Sequence, residues 1–356
     1  MDKEKWLYRF DEIGSEYNDM VGKKCAHLGE MTKTGFRVPP GYALSLKAYE
    51  MFMIESGGLE KVREYLKDFS AHPNEPNDLP KYEKAEKKVR NILESKTMPE
   101  DMESLIGKYY DKLCQTSGVS DVPVAVRSSG PASHPGQYET FLHVKGKAAV
   151  MINIIKVWSS TFNQRSIHAR HRLNLPLDWD PIGVAVLKMV TAKAAGVMFT
   201  LNPANGDRSK IMLEGNWGLG ESVVSGSVTP DKWVVDKVVL EVSKHTVSTK
   251  TTECIFDKDS GEVVMKDIPP NRQTIPCLND EEVIEIAKIG KKLEKHYGIQ
   301  QDIEWVIDND LPFPENIFFV QTRPETIWSK KKPEAKLKST GSQAGDVIQF
   351  YRTVKA

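Results

Sequence analysis

The chain has 356 residues, with 49 Lys+Arg against 49 Asp+Glu, a formal net charge of +0 at pH 7 and a 40% apolar share. That composition belongs to a folded chain of two domains, or one large bilobal unit, rather than a disordered one. Balanced charge excludes a partner held by a net basic field, such as nucleic acid or an anionic membrane, and the longest near-apolar run, Ile182–Val190, is far short of the roughly 20 residues a bilayer requires.

The first 57 residues are rich in turn signals: Val21-Gly22-Lys23-Lys24, then Val38-Pro39-Pro40-Gly41-Tyr42. Lys24–Met31 reads as a helix opening just after a glycine, and Ser45 begins a second short helix through Met53. Residues 59–115 are charge-rich and helical in period. Leu59, Val62, Leu66 and Phe69 recur at three- and four-residue steps, His72–Pro80 interrupts with prolines, and Tyr82–Ser95 and Met102–Leu113 resume the helix.

After this the pattern turns toward strands. Val122–Val126 is a short β-branched run followed by Arg127-Ser128-Ser129-Gly130, and Gln137–Val144 reads as another strand. A helix is expected over Ala149–His171, then buried strands over Ile182–Val190 and Ala195–Thr200. The strand Lys210–Glu214 ends in the glycine-rich Gly215-Asn-Trp-Gly-Leu-Gly-Glu221, and strands over 232–242 and 245–254 suggest a meander. Glu281–Tyr297 is a helix with Val283, Ile286, Ile289, Leu293 and Tyr297 on one face and Gly298 as its stop. Asp302–Ile307 and Ile317–Thr322 are the last two strands. From Ser329 onward the chain is basic and polar, either a linker or a docking segment with Val347–Tyr351 as its apolar part. The whole reads as α+β with largely antiparallel sheets in two lobes.

The charged start MDKEKWLYRFDEIG lacks the apolar centre of a secretory signal. Cys25, Cys114, Cys254 and Cys277 are scattered with no CxxC, which argues against a disulfide scaffold or zinc cage and for a reducing, cytoplasmic setting. His27, His134, His168 and His171 show no paired metal spacing and read as structural. There is no GxxxxGK[ST] loop, and Gly218-Leu-Gly220 is not a dinucleotide fingerprint because position 223 is Val. The glycine-rich turn is equally a tight strand-to-helix connection.

The last two strands carry the sharper signal. Asp302 and Glu304 are two apart, so they share a face, and so are Gln321 and Arg323. If the strands pair, a carboxylate, an amide oxygen and a guanidinium converge on one patch that suits Mg²⁺ and phosphate oxygens, although a solvated charged hairpin face has the same spacing. Arg127, at a strand end before Ser-Ser-Gly, suits an anion, or is a surface arginine. Lys24 sits at a helix start, where the dipole also favours phosphate.

In order along the chain, VGKKCAHLGEM (21–31), VPPGY (38–42), VAVRSSG (124–130), GQYETFLHV (136–144), GVMFTLNP (196–203), EGNWGLGE (214–221), TPDKWVVDK (229–237), HYGIQQDIEW (296–305) and FVQTRPET (319–326) resemble the N-terminal nucleotide-binding part of the phosphoenolpyruvate synthase and pyruvate phosphate dikinase family. The resemblance covers about residues 5–328. It implies an ATP-grasp fold: a first lobe over 1–190 with a helical insertion at 59–115, a second over 191–328, and Mg-ATP between them. It implies Lys24, Arg127 and Arg323 as catalytic, phosphate-binding cations, Glu304 and Gln321 as Mg²⁺ ligands, and Glu214 and Glu221 as further nucleotide-binding residues. Two departures stand out: Lys23 replaces the glycine before the family's lysine, and Val186-Leu187-Lys188-Met189-Val190 replaces Val-Gln-x-Met-Val.

The family's phosphoacceptor histidine, in a T-x-H-type motif, and its pyruvate-binding barrel have no counterpart in this sequence. The resemblance therefore implies the ATP half-reaction, with the histidine on a partner subunit. One split system of that kind is phenylphosphate synthase, whose smaller ATP-binding subunit this chain is similar to, with phenol as the final acceptor. The same half-reaction serving pyruvate, or a subunit that senses ATP without turning it over, are the alternatives.

Overall fold

The computed structural model describes residues 5–131 and 138–328. β1 (Leu7–Arg9) leads through α1 (Asn18–Val21) and α2 (Lys23–Lys33) to β2 (Gly41–Leu44). A helical stretch follows: α3 (Leu46–Glu55), α4 (Gly58–Lys67), α5 (Leu79–Glu94) and α6 (Glu100–Ser117). β3 (Val124–Ser129), β4 (Thr140–Val144), α7 (Lys147–Ser159), α8 (Gln164–Arg172) and β5 (Gly183–Lys188) come next. The remainder comprises β6 (Ala192–Phe199), β7 (Lys210–Trp217), α9 (Glu221–Val224), β8 (Asp231–Asp236), β9 (Val242–Thr246), β10 (Thr252–Asp257), β11 (Glu262–Asp267), α10 (Pro270–Gln273), α11 (Asp280–Tyr297), β12 (Gln301–Asp308) and β13 (Ile317–Pro324).

The strands form a first sheet in the order β1-β2-β5-β3-β4, a second in the order β13-β12-β6-β7-β8-β9, and a separate β10-β11 hairpin. Paired strands run antiparallel throughout. The class is α+β. No helix among the described residues is long and apolar enough to cross a membrane.

The helical layer is α3 to α8. Val62 is fully buried in its core, and Leu59, Leu66 and Phe69 pack half-buried against the same cluster. The expected break lies between α4 and α5, but Pro80 sits inside the first turn of α5, where its missing N–H has no helical partner to lose. The helix expected over Ala149–His171 is in fact two. A 3₁₀ turn at Ser160–Phe162 ends α7, and the Asn163 side chain caps α8 by accepting from the Ser166 amide at 2.9 Å.

The meander also needs correction. β7, β8 and β9 are consecutive, but β8 stops at Asp236, whose carboxylate accepts from the Val238 and Val239 amides at 2.9 and 3.2 Å and closes the turn. The expected strand 245–254 splits: its start belongs to β9, and its end opens the hairpin that leaves the sheet. α11 starts where Asn279 and Glu282 form a capping box, bonded at 2.8 and 3.0 Å, and ends at Gly298 with φ 68°.

α2 lies where the two sheets meet. Its Cys25, Ala26, Leu28 and Met31 join one buried cluster with Ala185 and Leu187 of the first sheet and Ile303, Trp305 and Phe319 of the second. Gly196 and Gly215 make room for the Trp305 ring, since a Cβ on either would stand 2.7 or 2.8 Å from it. That apolar packing fixes which face of β12 points away from the core, and therefore where Glu304 points. The 329–356 segment, with Val347–Tyr351, and His134 lie outside the described residues.

Candidate functional site

The hairpin of β12 and β13 pairs in the register the two-residue spacings require. Asp302 stands opposite Arg323 and Glu304 opposite Gln321. One row of the second sheet then runs Gln321, Glu304, Val197, Glu214, Lys232 across five strands, so these side chains share a face. The opposite face is apolar and is covered by α11, with Ile303, Trp305 and Phe319 fully or almost fully buried.

Immediately after Glu304 the register slips, so that Trp305 faces Phe319 and Val320 is the extra residue of a bulge. The bulge takes the Val320 carbonyl out of the ladder. It accepts instead from Arg127 Nη1 at 3.2 Å. Arg127, from β3 of the first sheet, also donates through Nη2 to Glu304 Oε2 at 3.1 Å and to Gln321 Oε1 at 3.3 Å. Its Nε is buried with no hydrogen-bond partner among the described residues. Both side chains of the Arg127–Glu304 pair are 17% exposed, so this is a shielded contact between the sheets rather than a surface one.

Lys24 sits in the first turn of α2, half-buried. Burial, and then the positive charge of Arg127, push its ammonium down to about 8, while Glu304 pulls the other way. The helix start is pinned to the end of β3. The Lys23 amide donates to the Gly130 carbonyl at 3.0 Å and the Cys25 amide to Ser129 Oγ at 3.0 Å. Two first-turn amides that an anion would use are thus already committed. It is the Lys24 side chain, more than the helix end, that offers charge to a ligand.

Arg323 is held from the side. Its Nε and one Nη donate to Asp302 Oδ2 at 2.7 and 2.6 Å. Burial raises the Asp302 carboxyl, Arg323 lowers it, and Glu304 and Glu325 add repulsion that raises it further.

Lys24, Arg127, Glu304, Gln321 and Arg323 therefore gather at one place. Glu214 lies in the same row two strands from Glu304, about 10 Å away by strand spacing, and pairs with Lys232 at 2.7 Å. Glu221 does not join. It is the exposed first residue of α9, on an element separate from the Glu304 hairpin.

Residue spacing left some contributors unnamed. Asp302 was legible as the partner of Glu304 on one face, but its grip on Arg323 depends on strand register. His27 donates from Nδ1 to the Thr322 carbonyl at 2.6 Å, and the Arg37 carbonyl accepts from the Phe319 amide at 2.9 Å. Burial, partly offset by that carbonyl, lowers the His27 imidazole, which fits a neutral ring fixing α2 to β13. His168 and His171 are bound within the helical layer, to the Pro73 carbonyl and the Tyr82 hydroxyl, each at 2.7 Å.

No group of three or more His, Cys, Asp or Glu that could hold a metal occurs among the described residues. A cation here would rest on fewer protein ligands. Glu304 Oε2 and Gln321 Oε1 meet at a single nitrogen of Arg127, so two oxygens already surround one positive point. One carboxylate and one amide oxygen, completed by phosphate oxygens and water, are a donor set that suits Mg²⁺.

A family model described as the pyruvate phosphate dikinase AMP/ATP-binding domain matches residues 18–343. Among relatives, a probable phosphoenolpyruvate synthase of Staphylothermus marinus is 35% identical, covering 97% of this chain and 44% of the relative. The phosphoenolpyruvate synthase of Aeropyrum pernix is 37% identical, over 96% of this chain and 45% of its own length. A probable phosphoenolpyruvate synthase of Methanothermobacter thermautotrophicus is 36% identical, over 94% and 48%. The chain spans less than half the length of these relatives.

Proposed function

The chain belongs to the pyruvate phosphate dikinase AMP/ATP-binding domain family, and on that premise we propose that it carries out the ATP half-reaction of a dikinase-type phosphotransferase, on an ATP-grasp scaffold. ATP would lie over the Glu304 row. A histidine on a separate partner subunit attacks the β-phosphorus, the bond from the β-phosphorus to the α-phosphate's bridging oxygen breaks, and AMP leaves. Water then removes the terminal phosphate, which leaves phosphohistidine.

The observation that carries this reading is the convergence of Lys24, Arg127 and Arg323, from a helix and two sheets, around Glu304 and Gln321. Phosphoryl transfer asks little covalent chemistry of the protein and depends on cations placed where charge develops. Lys24 contributes a compact charge, and Arg127 and Arg323 contribute planar forks that match phosphate oxygens. Glu304 and Gln321 would hold Mg²⁺, which supplies charge neutralisation on the phosphate oxygens when bound. Asp302 keeps Arg323 oriented, and Glu214 and Glu221 are proposed as outlying nucleotide contacts. The relatives' printed names favour pyruvate as the final acceptor, and phenol draws no support from them.

Labelling with ATP carrying the isotope at the β-phosphoryl position, in a native extract supplemented with this chain, tests the proposal. An acid-labile label on a second, larger polypeptide is expected. ATP binding with no transfer of the β-label would overturn it in favour of an ATP sensor.

A further inference from the structure

We propose that Arg127 is the resident cation of the Glu304–Gln321 site in the nucleotide-free protein, so that a divalent ion enters only when a phosphate chain draws the guanidinium away. The inference rests on the reading of Glu304 and Gln321 as cation ligands. It goes beyond that reading by assigning an order of events and a second role to Arg127.

Three observations support it. Nη2 of Arg127 lies 3.1 Å from Glu304 Oε2 and 3.3 Å from Gln321 Oε1, so the guanidinium uses the same two oxygens a metal would use. Nη1 is held at 3.2 Å by the Val320 carbonyl, which the bulge has released from the strand ladder, so the position is built by the backbone. The pair is shielded on both sides, which strengthens the attraction between them and the repulsion a second cation would meet.

The site is then closed to a bare divalent ion for two reasons. Its lone pairs are engaged, and a positive group stands beside them. A nucleotide removes both obstacles together. Its phosphate oxygens are better partners for the guanidinium fork than one carboxylate oxygen and an amide, and the released Glu304 and Gln321 become available to the ion. Because Arg127 comes from β3 and its partners from β12 and β13, the same exchange replaces a direct contact between the sheets with one through the ligand. Nucleotide and metal binding become coupled, and the coupling resides in one side chain.

The test is Mn²⁺ binding to the nucleotide-free protein, followed by electron paramagnetic resonance of the free ion. Wild type is expected to bind Mn²⁺ weakly. Arg127→Met removes the resident charge and should tighten Mn²⁺ binding by at least about tenfold. Arg127→Met combined with Glu304→Gln should return it to the weak level. A folded Arg127→Met protein, checked by circular dichroism and melting, that binds Mn²⁺ no better than wild type overturns the proposal. If that variant does not fold, Arg127→Gln decides: a neutral amide keeps a donor for the Val320 carbonyl but carries no charge, so Mn²⁺ must bind more tightly than in wild type. Equal or weaker binding there overturns it as well. ATP affinity is measured separately by calorimetry. Loss of ATP binding in wild type would remove the proposed function, whereas the metal result stands or falls without nucleotide.

Discussion

Asp302 and Arg323 face each other across β12 and β13, and a single oxygen of the aspartate accepts from two nitrogens of the arginine at 2.7 and 2.6 Å. The aspartate is 12% exposed and the arginine 41%, so the carboxylate is a buried post and the guanidinium reaches outward from it. Arg323 can therefore be aimed at a ligand while its root stays fixed, the preorganisation that charge stabilisation in a transition state requires.

Two substitutions separate aiming from charge. Arg323→Ala should lower phosphohistidine formation by about 10²–10³-fold, as removal of one preorganised donor does elsewhere. Asp302→Asn keeps the cation but loosens its hold. It should cost less, about tenfold, and mainly in the transfer step. Single-turnover labelling of the acceptor histidine measures both. A loss in the Asp302 variant as large as in the Arg323 variant would contradict the positioning role.

The Lys24 ammonium, held down to about 8 by burial and by Arg127, gives a pH signature. Its folded value lies below the unfolded 10.5, so burying the charged form opposes folding below about pH 8, and that penalty fades as pH rises toward 10.5. For binding the sign is the reverse. A phosphate chain needs the protonated amine, so affinity should fall above pH 8 by up to about tenfold per unit, with proton uptake on binding. Calorimetry in buffers of different ionisation enthalpy reads that uptake directly. Lys24→Met should abolish it, and an identical uptake in the variant would assign the proton elsewhere.

Much of this was legible beforehand, for reasons that differ by element. The Asp302-x-Glu304 and Gln321-x-Arg323 spacings needed only the two-residue period of strands and a pairing of neighbours. α11 announced itself by apolar period and terminal glycine, whereas its capping box at Asn279 and Glu282 emerged only in the structure. The bulge at Val320 was hidden, because no residue type in the stretch marks where the register between paired strands slips. The hold of His27 on Thr322 was hidden too, since it joins residues 295 apart in the chain. Glu221 was placed by family pattern alone, and the structure leaves it exposed at the start of a four-residue helix.

Gly22 is the hinge between Lys24 and Arg127. Its φ is 77°, and a Cβ there would stand 1.9 Å from the Ser129 carbonyl oxygen. Gly22→Ala must therefore push α2 away from the end of β3 and break the hydrogen bonds that the Cys25 and Lys23 amides donate to the Ser129 hydroxyl and the Gly130 carbonyl. A loss of more than about 1 kcal/mol in denaturant unfolding is expected, together with weaker ATP binding, because Lys24 moves with the helix start. Unchanged stability would mean that the α2–β3 junction tolerates a side chain.

The Lys250–Asp231 pair stands apart from the ligand site and tests what holds the second sheet to its loops. Both side chains are 0% exposed and their charged atoms are 2.8 Å apart. Asp231 Oδ1 also accepts from the Ser248 amide at 2.8 Å, its Oδ2 accepts from the Cys277 amide at 2.9 Å, and the lysine donates to the Ser248 carbonyl at 3.1 Å. One carboxylate thus ties the start of β8 to the segment before β10 and to the approach to α11. Such a pair gains little over a well-packed apolar replacement, but removing one partner strands a buried charge. Lys250→Met should therefore cost about 3–5 kcal/mol in denaturant unfolding, and Asp231→Asn/Lys250→Met should recover part of that loss. If the single and double variants unfold at the same denaturant concentration, the lysine charge is not what satisfies Asp231, and the backbone amides carry the junction.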